Sequence, residues 1–135
     1  MKQGLKMKRN FLFAKIHHAR VTHADINYEG SFAIDEQILE LSTIRENEQI
    51  QVYNIDNAQR FTTYAIRAKR GSRIMAANGA CAHLVTPGDR VIICSYASLE
   101  EHEWKHFKPT VIILDEKNHY KNRTEQHDVE KDVVQ

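Results

Sequence analysis

The stretch Asn27-Tyr28-Glu29-Gly30-Ser31-Phe32 sets a glycine directly before a serine, between an alternating apolar segment and a helix start. A serine hydroxyl can attack the carbonyl carbon of the preceding residue when the backbone there is held under strain. That attack turns the peptide bond into an ester. Elimination then splits the chain and leaves dehydroalanine, which hydrolyses to ammonia and an N-terminal pyruvoyl group. Glycine on the acyl side suits this chemistry because it tolerates conformations closed to other residues and does not hinder the attack. Taken alone, however, Gly30-Ser31 reads as an ordinary turn.

Three other groupings could do chemistry. His102-Glu103-Trp104-Lys105-His106 spells H-E-x-x-H, in which two histidines on one helix face share a zinc ion and the glutamate acts as general base. The motif needs a long helix and a third ligand, and Pro109 stops this segment almost at once, so no metal is expected. His17, His18 and His23 form a second cluster, but strand neighbours point to opposite faces, so one hydrogen-bonding or catalytic histidine fits better than a zinc site. Asn78-Gly79-Ala80-Cys81-Ala82 is a run of small residues that reads as a tight turn with positive φ at Asn or Gly, or as a loop whose backbone approaches a ligand. Cys81 and Cys94 fit no metal or redox spacing and read as reduced thiols.

The elements that must position these groups are mostly strands. Ile16 to Val21 is one. Ile50 to Ile55 alternates with period two, Asp56-Asn57-Ala58-Gln59 supplies turn chemistry, and Phe61 to Ile66 returns, so residues 49 to 67 predict a hairpin. Pro87-Gly88-Asp89 launches Arg90 to Tyr96, apolar enough through Cys94 to suggest burial on both faces. Thr110 to Leu114 repeats the signal. Helix is scarce. Asp35 is a good N-cap for Glu36 to Leu41, and a second short helix is expected from Leu99 to about His106. Charge-rich residues 116 to 135 predict a flexible tail. The expectation is a single domain spanning 1 to 135: a small, mostly β barrel with short helices.

Composition sets the outer limits. A chain of 135 residues supports one core. Its net charge of +1 gives no general reason to expect nucleic acid or an anionic membrane as partner. No apolar run approaches the roughly 20 residues of a membrane span. The N-terminus lacks an export signal's apolar stretch, so the expected location is the cytoplasm.

Around Gly30-Ser31 the residues fall into a longer pattern: Lys15-Ile16-His17, Val21-Thr22-His23-Ala24-Asp25 and Tyr28-Glu29-Gly30-Ser31. It continues through Ala33-Ile34-Asp35, Glu46-Asn47-Glu48, Arg60-Phe61-Thr62-Thr63-Tyr64, Arg70-Gly71-Ser72, Asn78-Gly79-Ala80, Gly88-Asp89 and Val91-Ile92-Ile93. Over roughly residues 8 to 115 this resembles the pyruvoyl-dependent aspartate 1-decarboxylase family, which makes β-alanine for pantothenate and coenzyme A synthesis. The resemblance implies a six-stranded double-psi β-barrel and a homotetramer with active sites between subunits. It implies self-cleavage at Gly30-Ser31 into a β chain of residues 1–30 and an α chain of 31–135, in some cases with a maturation factor. Ser31 would be the precursor of the covalently bound pyruvoyl group that forms a Schiff base with L-aspartate, and Tyr64 the proton donor. Thr63 would assist cleavage and contact substrate, Gly79, Ala80 and Cys81 would form the substrate-binding loop, and Lys15 and Arg60 would face the substrate carboxylates.

The chemistry of the residues agrees with these roles: arginine's planar fork fixes a carboxylate in one orientation, and a phenol can protonate the carbon left by CO₂ loss. The chain departs from the family at Ala14, where glycine is usual, at Arg9-Asn10-Phe11, at Cys81, where alanine is common, and before Met7, an alternative start. The competing reading is an uncleaved barrel acting as a binding or regulatory module. The set Lys15, Arg60, Thr63 and Tyr64 counts against it, because a scaffold needs no such combination.

Overall fold

The computed structural model describes residues 7–124. In chain order the elements are β1 (Lys8–Arg20), β2 (His23–Asp25), β3 (Ser31–Asp35), α1 (Glu36–Ser42), β4 (Gln49–Asn54), β5 (Arg60–Ala68) and β6 (Met75–Asn78). A 3-10 helix (Gly79–Leu84), β7 (Arg90–Glu100), α2 (Glu101–Trp104), β8 (Thr110–Leu114) and β9 (Tyr120–Thr124) follow. The strands hydrogen-bond in the order β2-β6-β3-β5-β4-β7-β1-β8-β9. β1 with β8, β2 with β6 and β3 with β5 run parallel, and the other pairs are antiparallel. The result is a mostly β, barrel-like fold with few short helices.

Among the described residues there are nine strands where six are expected. β2, β6 and β9 are too short or too polar to alternate recognisably, and they form because a neighbour offers them a ladder. The hairpin predicted over 49 to 67 is β4 with β5, in the register Gln51↔Thr62. Inward-facing residues alternate along each strand: Ile50 and Val52 on β4, Val91 and Ile93 on β7, Ala14 and Ile16 on β1 are all buried. β3 differs in being buried at every position, Ser31 to Asp35. Phe32 and Ile34 are fully buried there, each worth about 1.5–3 kcal/mol in removed apolar surface.

At the far end of β3, Asp35 caps α1 as expected, accepting from Gln37 N at 2.8 Å. The same carboxyl group accepts from Gly71 N at 2.9 Å and Arg73 N at 2.8 Å. It is therefore a junction of three segments rather than only a cap.

Three expectations are corrected. α2 is four residues long, because Leu99 and Glu100 still belong to β7. Glu103, the would-be general base, accepts from Glu100 N at 2.8 Å in a capping box. The tail does not begin at 116: β9 pairs with β8, and Asn118 is 1% exposed. The Asn118 side chain accepts from Arg20 N and donates to Arg20 O and Arg73 O, which holds the preceding turn in place. The reading of residues 125 to 135 as tail lies outside the described residues. Finally, His17 and His18 do not point apart. A bulge between Ile16 and Ala19, with His18 at φ 64°, brings their rings to 4.0 Å. Burial, then the charges of His18 and Lys15, lower the pKa of His17 to about 4.

Candidate active site

Ser31 is the first residue of β3, paired with Asn78 of β6. Its position follows from the burial of Phe32 and Ile34 behind it, which fixes the strand while Gly30 and the residues before it stay exposed. Ser31 is 2% exposed and has φ 155°, a region that L-residues seldom occupy. Asn78 Nδ2 donates to Ser31 Oγ at 3.3 Å. On the other side of the Gly30–Ser31 peptide bond, Tyr64 Oη donates to the Gly30 carbonyl at 2.7 Å. Both atoms of the predicted reaction, nucleophilic oxygen and attacked carbonyl, therefore carry a donor from another strand.

Gly79 opens the 3-10 helix with φ 74° and packs on this junction. A Cβ there would lie 2.7 Å from Gly30 Cα, 2.9 Å from Gly30 N and 3.1 Å from Tyr28 O. At Gly30 an added Cβ would meet nothing within 4 Å. The steric need for glycine is thus at Gly79 rather than at Gly30. Cys81, on the same 3-10 helix, is half-buried and directs its thiol to Ser31 O at 3.6 Å and Asn78 O at 3.4 Å. Burial pushes that thiol's pKa up, so it remains a neutral donor. Ala80 is exposed beside it.

Asn27, Tyr28, Glu29, Gly30, Ser31, Tyr64 and Ile66 line a cleft of about 470 Å³. Tyr64 is 42% exposed at its mouth. Thr63 lies on the opposite face of β5 from Tyr64, with Phe61 and Ala65 on the core side. Hence the contact to the Gly30 carbonyl comes from Tyr64, where the sequence reading assigns help in cleavage to Thr63.

Lys15 and Arg60 are not among the residues lining the cleft. They share the outward face of β1, β7, β4 and β5, where Lys15↔Cys94, Cys94↔Gln51 and Gln51↔Thr62 form one row. Arg60 begins β5 on that face and stands over the ring of Tyr53, 5.1 Å from its centroid. One copy of the chain therefore gathers Gly30, Ser31, Tyr64, Gly79 and Cys81, and leaves the two cations elsewhere on its surface. Sequence reasoning missed Asn78 as a partner of Ser31, and missed Tyr53. Asn78 stood within the small-residue run, but only the pairing of β3 with β6 identifies its target.

His102 is exposed, and His106 falls beyond α2. Among the described residues no three His, Cys, Asp or Glu side chains are grouped to hold a metal.

Comparison with known proteins adds an independent line. A family model described as aspartate decarboxylase matches residues 7–121. Aspartate 1-decarboxylase of Psychromonas ingrahamii is 54% identical over 112 residues, covering 83% of this chain and 89% of that protein. The enzyme of that name from Alcanivorax borkumensis is 54% identical over 85% of this chain and 91% of its own length. One from Pseudomonas fluorescens is 58% identical over 76% and 82%.

Proposed function

This chain belongs to the aspartate decarboxylase family, and from that premise we propose that it matures by cutting itself at Gly30-Ser31 and acts through a pyruvoyl group made from Ser31. It is a decarboxylase that converts L-aspartate to β-alanine and CO₂ for pantothenate synthesis.

The observation that supports the cleavage is the pair of donors on the junction: Tyr64 on the Gly30 carbonyl at 2.7 Å and Asn78 on Ser31 Oγ at 3.3 Å. As Ser31 Oγ attacks, negative charge develops on the Gly30 oxygen, and a donor already aimed at that atom stabilises it. The exposed loop 27–30 then lets the new C-terminus at Gly30 move away. That departure frees the Tyr64 phenol, which the intact junction keeps occupied.

When formed, the pyruvoyl ketone supplies an electron sink for the pair left behind by the departing CO₂. The surroundings of residue 31 fit such a group. Asn78 and the Cys81 thiol border it with donors, and Gly79 lets the 3-10 helix pack directly on Gly30 next to it. Tyr64 Oη holds a proton at the mouth of the cleft and delivers it to the carbon that has lost CO₂. Gly79, Ala80 and Cys81 form the wall against which aspartate lies, with Thr63 behind it. Arg60 and Lys15 hold the two substrate carboxylates. Because both cations sit outside the Ser31 cleft of their own chain, we assign them to the cleft of a neighbouring copy in a homotetramer. A maturation factor and a cytoplasmic location complete the reading. The two thiols are free, and among the described residues no helix is long and apolar enough to cross a membrane.

The intact mass of purified protein, incubated with cell extract to supply any maturation factor, tests the proposal. Chains of residues 1–30 and 31–135, the second beginning with pyruvoyl, are expected. A single full-length mass alongside β-alanine production would overturn it.

A further inference from the structure

Arg60 is the first residue of β5 and lies directly opposite Tyr53 of β4. Its guanidinium carbon is 5.1 Å from the Tyr53 ring centroid, within the range of a cation–π contact. The Tyr53 hydroxyl in turn shares a 2.9 Å hydrogen bond with the hydroxyl of Tyr96 on β7. Tyr53 is registered opposite Ile92, four residues before Tyr96. The two phenols therefore meet along the strand direction, above the row that carries Lys15, Cys94 and Gln51.

Taken together, these contacts form a line of support. Arg60 is exposed, and a free arginine side chain spreads over many rotamers whose loss on binding costs affinity. A ring beneath the guanidinium narrows that spread, but only if the ring itself is held. Tyr53 is held at its Cα by the β4 ladder and at its far end by Tyr96.

We propose that Tyr53, braced by Tyr96, is a positioning residue that fixes the Arg60 guanidinium for one carboxylate of the substrate. The proposal rests on the assignment of Arg60 to a substrate carboxylate made above. Burial and the hydrogen bond with Tyr53 raise the Tyr96 pKa above its ordinary value.

Steady-state kinetics on fully matured Tyr53→Leu, Tyr53→Phe, Tyr96→Phe, Arg60→Ala and the double variant Tyr53→Leu/Arg60→Ala test this. Tyr53→Leu removes the platform and should raise KM for aspartate about two- to fivefold with kcat unchanged. Tyr53→Phe and Tyr96→Phe keep the platform and lose only the brace, so each should give a smaller rise. In the Arg60→Ala background, Tyr53→Leu should change nothing further. The same KM rise in both backgrounds would mean that the ring acts without Arg60 and would overturn the proposal. So would a fall in kcat at constant KM, or no effect of Tyr53→Leu at all. If Arg60→Ala itself leaves KM unchanged, the carboxylate assignment is what fails, and the positioning role falls with it. If only the Tyr53 result fails, that assignment stands.

Discussion

At its C-terminal end β3 delivers Asp35 into a site with no solvent, where three backbone N–H groups from α1 and the β5–β6 connection converge on one carboxyl group. At its N-terminal end, four residues away, it delivers Ser31 to a junction with an exposed loop. There the hydroxyl takes one 3.3 Å hydrogen bond, and the neighbouring carbonyl is held by a half-exposed phenol. The strand between is buried throughout. One end is over-determined and the other is free enough to react. Strain can be kept at Ser31 only because Phe32, Ile34 and Asp35 prevent the strand from shifting to relieve it.

Breaking the reactive end should have the largest effect. Ser31→Ala removes the nucleophile, so the protein should stay one chain on a denaturing gel and make no β-alanine; two chains would place the cut, or its nucleophile, elsewhere. Tyr64→Phe keeps the ring and removes the proton. Cleavage should slow roughly 10²–10³-fold, the usual loss when one donor to a developing oxyanion goes, and once maturation has been driven to completion, β-alanine formation measured by chromatography should fall roughly 10²–10⁴-fold. Near-normal turnover by the matured variant would remove the tyrosine from the proton transfer.

Breaking the anchored end is a stability experiment. Asp35→Ala deprives three part-buried N–H groups of their acceptor and uncaps α1, for a loss of about 2–4 kcal/mol in urea unfolding. Asp35→Asn, which keeps an acceptor oxygen, should lose less. A change under about 1 kcal/mol for Asp35→Ala would erase the contrast between the two ends. The smallest effect belongs to a place that touches neither. His102→Ala with His106→Ala, or treatment with a chelator, should leave turnover and unfolding midpoint unchanged; activity lost and then restored by zinc would revive a metal role for α2.

What could be read from sequence follows the reach of the interactions. The Asp35 cap was legible because its acceptor and the Gln37 donor lie two residues apart. The hairpin of β4 and β5 was legible because one turn joins its strands. Gly30-Ser31 was chemically suggestive but gained meaning only from a pattern spread over most of the chain. Asn78 as the partner of Ser31, Tyr96 as the brace of Tyr53, and the pressure of Gly79 on Gly30 all depend on which distant strands become neighbours. No local periodicity encodes that. The His17–His18 stack failed for the opposite reason: period-two alternation is a good rule until one bulged residue resets it. Asn118 was hidden in a charge-rich stretch whose composition suggested solvent, while its amide was committed to Arg20 and Arg73.

β1 and β2 both precede the cut, yet β1 lies between β7 and β8, and β2 pairs with β6. In the intact polypeptide these ladders close within one molecule, at an effective concentration set by the connecting chain. If the proposed cut separates residues 1–30, the same ladders hold a short peptide that is no longer tethered. If the matured protein unfolds, the peptide diffuses away and reassembly becomes a second-order encounter that slows with dilution. The proposed cleavage therefore requires that folding come first. A chain cut there keeps a shape that its two pieces reach readily only as one chain, so its working lifetime would be governed by how slowly it opens rather than by how well it can refold.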